Sequence, residues 1–374
     1  MDSNLTTLLP SVSSETPSWT FPRESAIVAG TISSIMAILG TIGNSLTIAA
    51  VFKSKRKIAA TGAFILNVAI GDLAYCCFCL PFTAVYHFHG FILGTMFCKM
   101  FSYIKFTILG AEIFGIALMA LNRFFFIVRH ETYVVMYTPR GTTLMISVSW
   151  LFYAILNLFP LSGVWGRFGW ENRVNACSLI RNDSSGFNIF LMLFSFIVPC
   201  ITMIVCYLWI YATVHTTNNK LRKHSTDLSL LSSHLRKRRD EVKVTKMMAV
   251  IFILFLVCYA PYIMTTAFDR EVTIPKLHVA VMLIGSSNYC INPLVYWLMN
   301  RPLRIAYNSL FPCTRNRTRI KILQAAPSRS QANEDIPDIS VYNIQQRPKA
   351  LEARKEFTNK SMLALAKQPS GDCR

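Results

Sequence analysis

Lys105, Glu112 and Arg123 stand inside a stretch, Cys98 to Val128, that is mostly apolar and long enough to cross a membrane. Glu112 follows Lys105 by seven residues and Arg123 follows Glu112 by eleven. At about 100° per residue both steps return to within roughly 20° of one helical face, so a helix here lines up three ionisable groups on a single stripe. Ionisable groups are costly in apolar surroundings and mark a functional position where they occur. Other apolar runs carry Asn44, Asp72, Asn288 and Asn292. The plainer reading of these residues is that they hydrogen-bond one helix to the next.

The elements that must position these groups are seven apolar segments, roughly 26–52, 61–86, 96–128, 142–164, 187–214, 243–268 and 277–299. Each reaches the approximately 20 residues that a membrane-spanning helix needs. Composition agrees. Of 374 residues 53% are hydrophobic and 15% charged, against about 25% charged in a soluble domain. The net charge of +19 invites a nucleic-acid reading. The cations, however, cluster between apolar runs and in the tail, as in KSKRK and RKRR, which is the pattern of cytoplasmic membrane flanks.

Lys53, Lys55, Arg56 and Lys57 follow the first segment, so the first loop is expected in the cytoplasm and the N-terminus outside. That makes Asn4 and Asn182 candidate glycosylation positions. Prolines at 81, 199, 261 and 293 interrupt four segments and can kink them. After the seventh segment, RPLRIAYNSLF puts Leu303, Ala306, Tyr307, Leu310 and Phe311 on one helical side, a short amphipathic helix. Cys313 beyond it is a candidate palmitoylation site. The expected organisation is an extracellular tail over 1–25, a helical domain over 26–311 and a disordered cytoplasmic tail over 312–374. Seven of the eleven cysteines lie inside apolar runs, where a thiol behaves as a small hydrophobe. CCFC lacks companion ligands for a metal. Cys98, at the very start of the third segment, and Cys177, between the fourth and fifth, remain a candidate disulfide pair.

In order along the chain stand GNS with Asn44, NVAIGDL with Asp72, Cys98, NRF with Arg123, Trp150, Pro199 and Tyr207, FLVCYAP, and NPLVY. On these residues the chain resembles the rhodopsin-like class of G-protein-coupled receptors over 26–311. The resemblance implies an all-α membrane protein, a seven-helix bundle with a short amphipathic eighth helix, that passes an extracellular ligand's signal to heterotrimeric G proteins. It implies a Cys98–Cys177 disulfide, and a ligand pocket at the outer end containing Lys105, Tyr259 and Ser286. It implies a buried polar cluster of Asp72, Asn44, Asn288 and Asn292 that binds sodium, joined here by Glu112. It implies an activation switch of Arg123 with Glu241, Tyr207 and Tyr296, and a packing switch of Pro199, Ile113 and Phe255. Arrestin and a receptor kinase would act on the tail, membrane lipids would surround the bundle, and nucleic acid has no part.

Three departures stand out. Asn122 replaces the acid usually beside Arg123, Tyr259 stands where Trp is usual, and Glu112 stands where a small hydroxyl residue is usual. The Asn-Arg pair resembles the melatonin-like receptors and the moody and trapped-in-endoderm group, and NPLVY leans towards the latter. Rival functions fare worse. An intramembrane zinc hydrolase needs His ligands within the spans, whereas the seven His residues lie in loops or at span edges. An opsin needs a Lys where Ser286 stands. A channel or transporter built from inverted halves would show an internal repeat, and none is visible. No enzyme is expected, no cofactor beyond a sodium ion, and the plasma membrane as location. A Lys at position 105 would repel a cationic amine, which favours a ligand with an anionic or lipid-like character.

Overall fold

The computed structural model describes residues 21–54, 60–180, 185–224 and 228–310. Seven helices among them are long and apolar enough to cross a membrane: Arg23–Lys53, Ala60–His89, Gly94–Val128, Pro139–Ser162, Gly186–Thr217, Glu241–Phe268 and Pro275–Met299. We call them spans one to seven. They match the predicted segments to within a few residues. Span one begins at Arg23, so the last residues of the expected N-terminal tail are helical. Span six continues a helix that starts at Leu228. The rest of both tails, with Asn4 and Cys313, lies outside the described residues, as does Asn182.

The bundle is inside-out relative to a soluble protein. Ile35, Ile38, Leu39 and Ile42 of span one, Leu144, Val148 and Leu151 of span four, and Ile201, Leu208 and Trp209 of span five are all exposed. Asn44, Asp72, Asn288 and Asn292 are completely buried. A lipid-facing surface explains the first set and an interior polar network the second.

Prolines act in two ways. The turns Tyr75–Cys79, just before Pro81, and Leu193–Ile197, just before Pro199, are π-helical. A widened turn relieves the clash of the proline ring with the carbonyl four residues back. Pro261 and Pro293 instead lie within continuous α-helix. Gly110 is where spans three and four meet most closely: a Cβ there would sit 2.1 Å from the Tyr153 ring, so no larger residue fits without movement.

Two strands, β1 (Phe168–Glu171) and β2 (Ala176–Leu179), form an antiparallel hairpin between spans four and five. The turn uses Asn175 at φ 54°, a backbone region Asn tolerates. The short helix Arg301–Leu310 buries Leu303, Ala306 and Tyr307. Tyr307 hydrogen-bonds Thr47, and Lys53 Nζ donates to the Ser309 carbonyl at 2.9 Å. The apolar side of this helix is therefore held against span one.

Candidate functional site

The stripe on span three meets a different set of partners at each of three levels. At one end of the bundle a disulfide joins Cys98 to Cys177, with their Cα atoms 5.4 Å apart, and ties β2 to span three. Asn175 Nδ2 donates to the Tyr86 carbonyl at 3.0 Å, and Trp170, opposite Cys177 in the hairpin, packs on Tyr86 and Phe91. The hairpin is thus fixed to spans two and three. Lys105 Nζ donates to the Cys177 carbonyl at 2.7 Å and lies near the rings of Phe101 and Phe106.

Beneath β2 is a cavity walled by spans three, four, five and six, with about 1130 Å³ of empty space out to its open mouth. Leu109, Ile113, Met192, Phe196 and Ile263 give it an apolar interior, and Tyr259 is part of its wall. Lys105 and Ser286, expected in the ligand pocket, do not line this cavity. The fixed carbonyl of Cys177 draws the Lys105 ammonium away. Ser286 Oγ donates to the Met282 carbonyl at 2.9 Å and contacts the Tyr75 hydroxyl at 3.2 Å. The cation that does line the cavity is Arg270, just past the end of span six.

At mid-height Asp72 and Glu112 are both buried, near enough for their charges to couple. Asn292 Nδ2 donates to Asp72 Oδ2 at 3.0 Å, and Asn288 Nδ2 to Glu112 Oε1 at 2.6 Å. Asn44 spends its amide on the carbonyls of Gly40 and Tyr289, at 3.0 and 2.8 Å. Five buried acceptors are left without a hydrogen bond: Asp72 Oδ1, Glu112 Oε2, and Oδ1 of Asn44, Asn288 and Asn292. Unpaired buried oxygens around two carboxyl groups suit a hard cation, or a proton shared between the acids.

At the opposite end Arg123 is almost fully buried, with 4% of its side chain exposed. Its guanidinium donates to Asn122 Oδ1 at 2.8 Å, to Thr61 Oγ1 on span two, and to Glu241 Oε2 on span six at 3.3 Å. Its carbon lies 4.9 Å from the centre of the Phe126 ring. Asn122 therefore replaces the usual acid with a neutral acceptor. Thr61, a lone hydroxyl early in span two, was not singled out from the sequence. The hydroxyls of Tyr207 and Tyr296 are buried without a hydrogen bond, so neither is bonded to Arg123. Between these levels Ile113, Pro199 and Phe255 are buried, with Phe255 packed on Phe196 and Tyr259 at 5.8 and 4.8 Å between ring centres.

A seven-helix bundle with a disulfide-fixed hairpin over a cavity at one end and a clasped arginine at the other defines a transmembrane signalling receptor. Residues 43–296 match the family described as 7 transmembrane receptor (rhodopsin family), and the chain belongs to it. It is a multi-pass membrane protein of the receptor class that acts through G proteins, and members of that class are receptors rather than enzymes. Protein trapped in endoderm-1 of Drosophila melanogaster is 29% identical over 309 residues, covering 78% of this chain and 79% of that protein. The G-protein coupled receptor moody of the same species is 27% identical over 352 residues, and the match spans 78% of this chain but only 52% of moody. Melatonin receptor type 1B-B of Danio rerio is 26% identical over 303 residues, with 79% of this chain and 83% of the receptor covered. Squid rhodopsin shares the fold, with a TM-score of 0.72 at 20% identity over 85% of this chain and 93% of that one.

Proposed function

We propose that this chain passes the signal of a ligand, bound in the cavity beneath the hairpin, to a heterotrimeric G protein that docks at the Arg123 end. The observation that carries this reading is the clasp on Arg123. One buried guanidinium ties span three to spans two and six, so parting those spans opens a surface at that end and frees a cation to meet a partner. Tyr207 and Tyr296, unpaired in this state, are then the groups available to receive Arg123. The cation-rich first loop argues for an N-terminus outside the cell and the Arg123 end inside, and a ligand from outside argues for the plasma membrane. Arrestin and receptor kinases would act through the tail, and lipid would cover the exposed apolar faces.

The mid-height oxygens fit a sodium ion. Asp72 and Glu112 would supply charge, and Asn44, Asn288 and Asn292 neutral oxygen. A bound cation there would brace spans one, two, three and seven and favour the resting state.

The test is nucleotide exchange on purified heterotrimeric G proteins of each class, with the receptor in nanodiscs. Exchange above the receptor-free rate with one class, abolished by Arg123→Ala in a protein that still melts cooperatively, is the expected result. No exchange with any class, together with ion flux when the protein is placed in liposomes, would overturn the reading.

A further inference from the structure

The cavity beneath β2 carries a chemical preference of its own. Its described walls are mostly aliphatic and aromatic, with Ser178, Asn188, Ser195, Thr266 and Arg270 among their polar members, and include no carboxylate. A cationic ligand would therefore bury its charge against apolar surface with no counter-ion, which is strongly unfavourable. Arg270 lines the mouth and has no ion-pair partner among the described residues. The acids beside it in sequence do not line the cavity. Asp269 is occupied in accepting from the backbone N–H of Thr273 and Ile274, at 2.8 and 3.1 Å, and contacts His278 at 3.0 Å. Glu271 presents its backbone carbonyl to Arg173.

A second observation concerns the interior. The hydroxyls of Tyr153, Ser195, Tyr259 and Thr266 all belong to residues that line the cavity. These hydroxyls also meet one another and their neighbours, that of Tyr153 lying within reach of Ser195 and that of Tyr259 within reach of Tyr289. The wall thus combines an apolar interior, a few polar side chains and one cation, Arg270.

We infer that the ligand of this cavity is a single-chain anionic amphiphile, its apolar body against Leu109, Ile113 and Phe196 and its acidic head group on Arg270. The inference rests on the receptor reading above for its consequence, but not for its binding chemistry. A carboxylate and a phosphate monoester share that chemistry.

The experiment uses full-length receptor purified in detergent and five eighteen-carbon probes: oleate, its neutral methyl ester, 1-oleoyl lysophosphatidate, its neutral counterpart 1-oleoylglycerol, and oleylamine. Thermal stabilisation and displacement of radiolabelled lysophosphatidate report binding. At least one anion is expected to bind about tenfold more tightly than its neutral partner, because a charge-assisted contact replaces none, and the amine is expected to bind least. Which anion prevails separates carboxylate from phosphate. Arg270→Gln is expected to bring the anion-to-neutral ratio to within about twofold while leaving the neutral probe's affinity as it was, which also shows that the variant is folded. An amine that binds as well as the anions, or a ratio untouched in Arg270→Gln, overturns the inference. G-protein nucleotide exchange in the same preparation keeps the two claims apart. Selective anion binding without exchange on any class supports the ligand class and sinks the receptor reading. Exchange driven by an agonist that the anions neither mimic nor displace sinks the ligand class alone.

Discussion

Substitution of Glu241 tests the clasp most directly. Arg123 is 4% exposed and Glu241 37%, so the pair is neither a surface bridge nor a buried one. Exposed pairs contribute roughly 0.2–1 kcal/mol, whereas stranding a charge from a buried pair costs about 3–5 kcal/mol. Solvent at Glu241 screens its half of the interaction, and the separation of 3.3 Å is long for a charged contact. A contribution of about 1 kcal/mol to the resting state is the reasonable estimate, an equilibrium factor of about five. If the active form is about 1% of the ligand-free population, Glu241→Ala raises it to roughly 5%. Ligand-free nucleotide exchange at matched surface expression reads that change. Asn122→Asp makes the converse test, because a carboxylate there adds an ion pair to the 2.8 Å bond that the guanidinium already donates. Basal exchange should fall. A well-expressed Glu241→Ala receptor with unchanged basal exchange, beside an Asn122→Asp receptor that is equally unchanged, would refute the idea that the clasp holds the resting state.

Other outcomes follow from the same geometry. Gly110→Val should lower the melting temperature by several degrees, since its side chain overlaps the Tyr153 ring and overpacking costs about 1–3 kcal/mol; an unchanged melt would mean that spans three and four separate freely. Melts across a sodium series should rise for the wild type and rise less for Glu112→Ser, while a response to pH but not to sodium would show that the acids share a proton instead. Asp269, accepting from the Thr273 and Ile274 backbones and Thr273 and His278 side chains, is held well below the usual carboxylate range, so its stabilising effect is present in full above about pH 4 and is lost as pH falls further. The melting advantage of wild type over Asp269→Ala should shrink below pH 4; an advantage that persists in stronger acid would place the stabilisation elsewhere.

How far sequence reaches is clear from particular residues. The seven spans follow from apolar length alone, and the Cys98–Cys177 bond stands as the resemblance implied. The Arg270 role was not legible, because an arginine in an Asp-Arg-Glu run between two spans looks like an ordinary solvated loop. Only the fold shows that Arg270 lines the cavity while its two acidic neighbours do not. Lys105 is the opposite case. Its position on the stripe was legible, but its partner is a backbone carbonyl seventy-two residues away, brought there by a disulfide and a hairpin turn. Backbone acceptors leave no mark in a pattern of side chains. Thr61 was missed for a related reason, since a single hydroxyl in an apolar helix is commonly satisfied by its own backbone.

The three ionisable groups of span three differ in what neutralises them, and that difference sets how each can work. Arg123 has a carboxylate on another helix, so its bond can be exchanged for another when the helices move. Glu112 has an amide donor from Asn288 and a second acid as neighbour, an arrangement with surplus negative charge that a cation or proton must complete. Lys105 has only a carbonyl and two aromatic rings, and the carbonyl belongs to a strand that the disulfide prevents from leaving. The first two contacts are therefore the adjustable ones. A rotation of span six would break the Arg123–Glu241 contact, and a cation or proton held at Glu112 would be a removable brace between spans two, three and seven. Lys105, by contrast, fixes the upper end of span three to β2 whatever happens below. Span three is then anchored at the hairpin, and movement at the Arg123 end belongs to the helices around it, span six first.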